Sequence, residues 1–77
     1  MVDPLYISAV KTLVQDAFSK SKVSVWTEDS VFYPGMMEVK VRVDNCGAYV
    51  TLNKLEKVSE ECIAGVLIEK IREVLDG

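Results

Sequence analysis

Seventy-seven residues suffice for a single domain, 1–77, with a thin margin, because a chain this short buries only about 60% of the surface it exposes when unfolded. Nine basic against twelve acidic residues leave a net charge of −3, the wrong sign for a broad phosphate-binding field, and the lack of any histidine removes the commonest general base and the commonest zinc ligand. An apolar share of 49% is generous for so small a core and leaves apolar surface for self-association or a standing partner.

The first element opens with "DPLY", where Asp3 suits an N-cap and Pro4 the first helical position. At about 100° per residue Tyr6, Ala9, Val10, Leu13, Val14 and Ala17 fall on one stripe, with Ile7 and Phe18 on one margin and Leu5 on the other. This spacing predicts an amphipathic helix over roughly Pro4–Ser19. A short strand, "KVSVWTED", follows; Val23, Val25 and Thr27 point one way, Ser24, Trp26 and Glu28 the other.

After a Phe-Tyr-Pro-Gly connection comes the clearest signal in the chain. In "MEVKVRV", Met37, Val39, Val41 and Val43 alternate with Glu38, Lys40 and Arg42, as in a half-buried antiparallel strand. Phe32, Tyr33 and Met36, around the Pro-Gly turn, are expected to fold back over the open end of the core beside the first helix. The alternative is a protruding tip that enters a groove on a partner.

The next connection, "DNCG", reads as a loop over Asp44–Gly47, with Gly47 in the left-handed position. That places Val43 opposite Ala48, Val41 opposite Val50, Val39 opposite Leu52, and Arg42 opposite Tyr49 for a cation–π stack. The last element has its N-cap at Ser59, after a turn over Lys54–Lys57, with Val58 and Ile63 as a hydrophobic staple and Glu60 and Glu61 in the first turn. Ile63, Ala64, Leu67, Ile68, Ile71, Val74 and Leu75 form its buried stripe. Gly65 is read as allowing close packing and Cys62 as a half-buried apolar residue. The sum is an α+β two-layer sandwich in the order α-β-β-β-α: a three-stranded antiparallel meander with both helices on its valine face.

Catalytic chemistry finds no foothold in these residues. Cys46, in the expected turn, has no histidine to generate its thiolate, and the acidic residues of the second helix read as a solvated face. No phosphate-binding loop, nucleophile motif or cofactor signature is present, so no catalytic, cofactor or metal residues are assigned. Two cysteines outside any CxxC spacing, no leader peptide in Met1–Val14 and no apolar run near membrane-spanning length suggest a soluble cytoplasmic protein with reduced thiols.

What remains is a binding surface. Trp26, Lys40, Arg42, Tyr49 and Thr51 share the outer sheet face and are of types that anchor interfaces, with Phe32 and Tyr33 on the loop as further contacts. The third strand, Ala48–Asn53, lacks the lysine or proline that usually blunts an edge, so it either lies under the Lys54–Val58 turn or pairs with another strand. Pairing with its own copy would give a six-stranded sheet.

The order helix–three strands–helix is similar to that of double-stranded-RNA-binding domains. Those present a lysine cluster at the start of the second helix, whereas Ser59-Glu60-Glu61 stands here, with only Lys54 and Lys57 near the corresponding place. The order matches and the chemistry does not. The expectation is a non-catalytic protein-interaction module, such as an adaptor, inhibitor or assembly factor of the size common among phage and bacterial accessory proteins. It would act as a homodimer on an unidentified protein partner, with nucleic-acid binding as the lesser alternative.

Overall fold

Periodicity settles where the two helices turn their apolar faces. In the computed structural model, which describes residues 4–76, α1 spans Pro4–Ala17 and α2 spans Glu60–Asp76, flanking strands β1 (Val23–Asp29), β2 (Met36–Val43) and β3 (Cys46–Asn53). The expected Asp3 cap lies outside the described residues. Helix α1 stops at Ala17, two residues short of the reading from spacing. There the Gln15 amide donates to the carbonyls of Phe18 (3.0 Å) and Ser21 (2.8 Å) and so ties down the chain as it leaves the helix. Helix α2 starts as its sequence dictates: the Cys62 N–H donates to Ser59 Oγ at 3.1 Å.

The strands form one antiparallel sheet in the order β1-β2-β3. Val10 and Val14 of α1 and Ile63, Ala64, Leu67 and Ile71 of α2 pack on Val23, Met37, Val39, Val41 and Val43 of the sheet. Helix α1 covers β1, α2 covers β3, and the helices touch each other. The Cα envelope is only 16 Å across its thinnest axis, one helical layer on one sheet. The expected two-layer α+β sandwich is therefore the fold.

Register is where the structure departs from the sequence reading. Val43 pairs with Cys46, Val41 with Ala48, Val39 with Val50 and Lys40 with Tyr49, so the connection is a two-residue turn at Asp44-Asn45. Asp44, with φ at 53°, takes the left-handed conformation expected of Gly47. Lys22, just before β1, holds it there: the Asp44 N–H donates to the Lys22 carbonyl at 2.9 Å, and the Asp44 carboxylate accepts the Lys22 N–H at 2.9 Å. The Lys22 N–H, and after it a hydrogen bond from the Ser21 side chain, hold the Asp44 carboxyl below its ordinary pKa. The shift is by two residues, so each side chain keeps its expected face. Only the cross-strand neighbours change, and Arg42 lies opposite Gly47 instead of Tyr49.

Three packing expectations also change. Val74 and Leu75 are each 56% exposed. They stand in the last turn of α2, the longer helix at 17 residues against the 14 of α1. Gly65 has open space where a Cβ would stand, so close packing is not its role. Cys62 is exposed, while Cys46 opens β3 half-buried against the core.

Candidate functional site: an open sheet face and its edge

Both helices lie on the valine face, so the opposite face of the sheet has no second layer. Its side chains line up in rows across the strands. The central row is Trp26–Lys40–Tyr49, since Lys40 pairs with Trp26 on one side and Tyr49 on the other. One row toward the Asp44 turn lie Ser24, Arg42 and Gly47; one row the other way lie Glu28, Glu38 and Thr51.

Lys40 occupies the middle of this face. Its ammonium pairs with Glu28 and with Glu38 (3.5 Å), and the Trp26 indole N–H donates to Glu28 at 3.4 Å. The Lys40 hydrogen bond and charge hold Glu28 below the usual carboxylate range, and the same bond raises Lys40. Two aromatic side chains thus flank a cation already committed to carboxylates. Arg42 is anchored by its Nε, which donates to the Asp44 carbonyl at 3.0 Å. With no side chain at Gly47, a shallow apolar hollow opens between Trp26, Arg42, Asn45 and Tyr49. Asn45 is a lining residue that sequence reasoning missed, because the expected longer loop placed it away from the sheet.

The two loop residues lie elsewhere. The turn Tyr33–Met36 closes with the Met36 N–H on the Tyr33 carbonyl (3.1 Å), with Pro34 at its second position and Gly35, at φ 80°, at its third. These are the features of a type II turn. Backbone pairing continues past the strand ends, with the Ser30 N–H on the Met36 carbonyl and the Lys54 N–H on the Gly35 carbonyl, so the connection is tied into the sheet end. Phe32 and Tyr33 therefore project from the sheet end, 81% and 64% exposed, and do not cap the core. Met36 sits in β2 on the outer face, half-buried. Val31 and Leu55, also exposed, belong to the same end of the molecule and have no periodic pattern in the sequence to announce them.

The free side of β3 is the third component. The Asp44 N–H to Lys22 and Ser30 N–H to Met36 bonds fix which β2 residues bond to β1. The Lys54 N–H to Gly35 bond sets the complementary phase with β3. Residues 46, 48, 50 and 52 thus spend their backbone groups on β2, and Gly47, Tyr49 and Thr51 aim theirs away from the sheet. A groove runs along that edge, walled on the helical side by Lys70, Glu73 and Val74. The Lys54–Val58 segment does not line it. Thr51, half-buried, belongs both to this edge and to the outer face.

Among the described residues, no group of three His, Cys, Asp or Glu side chains could hold a metal ion, and no helix is long and apolar enough to cross a membrane. No protein-family model, curated protein or solved structure matches the chain. The surface geometry is the ground for a functional reading.

Proposed function

We propose that the chain is a small cytoplasmic protein-interaction module that works by surface complementarity, through the outer sheet face and the β3 edge, with the edge pairing to a second copy. One observation carries this reading: a whole sheet face with no second layer, bearing Trp26, Lys40, Arg42 and Tyr49 in adjoining rows, is continuous with an unpaired strand edge. Aromatic and arginine side chains held on a rigid sheet bind with little loss of conformational freedom. Phe32 and Tyr33, at the loop end, make a separate apolar contact for the same partner or for another.

The element order shared with double-stranded-RNA-binding domains lends no comparable support. Helix α2 begins with Glu60 and Glu61, and Lys54 is paired to Asp29 at 2.7 Å. The test is Trp26→Ala combined with Tyr49→Ala. Both side chains lie outside the core, so the thermal midpoint should stay within a few degrees while capture of a protein partner from host lysate is lost. Capture that survives the double change moves the site to the loop end or the helices. A nucleic acid recovered in its place, released by salt, selects the alternative.

A further inference from the structure

The unpaired edge has a property that says what sits on it. Helix α2 runs antiparallel to β3, since its C-terminal half, Lys70–Val74, flanks the beginning of that strand. Lys70 therefore lies toward the Thr51 end of the groove and Glu73 toward the Gly47 end. Neither has an ion-pair partner among the described residues. A two-fold axis beside Tyr49 would set the Thr51 end of one edge against the Gly47 end of the other. The same axis carries Lys70 to Glu73 of the second copy, and Glu73 to its Lys70. The edge is self-complementary in charge and in backbone hydrogen bonding.

Resting on the interaction reading above, we propose that the occupant of this groove is a second copy of the chain, docked antiparallel on β3 with the axis at Tyr49. Gly47 pairs with Thr51 of the other copy, Tyr49 with Tyr49, and the two meanders fuse into one six-stranded sheet. Two reciprocal Lys70–Glu73 pairs then close the helical side, over the half-exposed Val74 side chains. The opposite edge does not offer this. Strand β1 carries the carboxylates Glu28 and Asp29 at one end and no basic residue to face them across a two-fold axis.

Sedimentation equilibrium at low ionic strength tests the arrangement with reversed charges. Lys70→Glu alone, or Glu73→Lys alone, puts like charges at both symmetry-related contacts and should weaken the dimer about tenfold. The double reversal restores opposite charges and should recover the original affinity. A dimer indifferent to the single changes, or not rescued by the double change, overturns the proposed axis. A chain that stays monomeric at high concentration overturns it as well; the outer-face reading is judged separately by the Trp26 and Tyr49 variant.

A second measurement fixes the register. In a chain carrying Cys46→Ala and Cys62→Ser, oxidised Tyr49→Cys should give a disulfide-linked dimer, because directly paired residues stand about 5.5 Å apart and disulfides span roughly 4.4–6.8 Å between Cα atoms. Thr51→Cys, facing Gly47 of the second copy, should not. Efficient linkage through position 51 with none through 49 overturns the register.

Discussion

Tyr6 joins the two helices with a single hydroxyl. It donates to the Val58 carbonyl at 2.8 Å, just before α2 begins, and so ties the first turn of α1 to the entry of α2. Its pKa is raised above 10.0, first by burial, then by the Glu60 and Cys62 charges. A raised folded value means that its contribution is complete below the unfolded pKa and is lost as pH climbs through the folded one. Tyr6→Phe should cost about 1 kcal/mol at neutral pH in urea denaturation. The difference between the two chains should then shrink above pH 10.0, where the native tyrosine in the unfolded state gives up its proton. A difference that widens with pH would contradict this. On the acid side Glu28 and Asp44 work with the opposite sign, since both are held low. What they add is present at neutral pH and fades as pH falls through their folded values.

At this scale some positions are legible in the sequence and others are not. Ser59 is, because a serine before Glu60-Glu61 with an apolar residue on either side satisfies several capping preferences together. Asp44 is not. Its left-handed backbone depends on Lys22, a residue far along the chain, and local pattern favours Gly47 for that conformation. Tyr6 is legible as an apolar stripe position, and its hydroxyl bond is invisible until α2 is in place.

Element by element, periodicity carries most of the fold and pairing carries the rest. The alternation in Met37–Val43 assigns faces without reference to any other strand, which is why all the outer-face residues fall where they should. Which residue stands across from which depends on turn length, and two-residue and four-residue turns give the same faces. Hence the Arg42–Tyr49 stack is replaced by a Trp26–Lys40–Tyr49 row. The same phase yields a prediction about proline. Val50 donates its N–H to β2, so Val50→Pro should cost at least about 3 kcal/mol and disrupt the sheet. Thr51 aims its N–H outward, so Thr51→Pro should stay folded within about 1 kcal/mol while losing edge pairing. Circular dichroism melts with sedimentation of both variants decide it. If Thr51→Pro unfolds as readily as Val50→Pro, that side of β3 is not free.

Across the whole molecule, apolar surface is divided unevenly. One layer of contact between helices and sheet holds the buried residues, while Val31, Phe32, Tyr33 and Leu55 gather at the loop end and Val74 and Leu75 at the other. Composition signals that apolar surface is left over; only the third dimension shows where. The loop goes unread because Pro34-Gly35 specifies a turn type and says nothing about the direction in which the hairpin points. Phe32→Ser with Tyr33→Ser should therefore shift unfolding free energy by no more than about 0.5 kcal/mol per site in urea titrations. A loss of several kcal/mol would mean that the pair covers the core after all.

Chain order gives the helical roof a consequence during synthesis. The half over β3 is supplied by α2, which leaves the ribosome after all three strands. At about 5–20 residues per second, the nascent meander spends on the order of a second with β3 complete and its inward side chains bare, beside a strand edge that carries no charge. The interval in which neighbouring nascent chains can stick to one another is set by how fast the ribosome finishes α2.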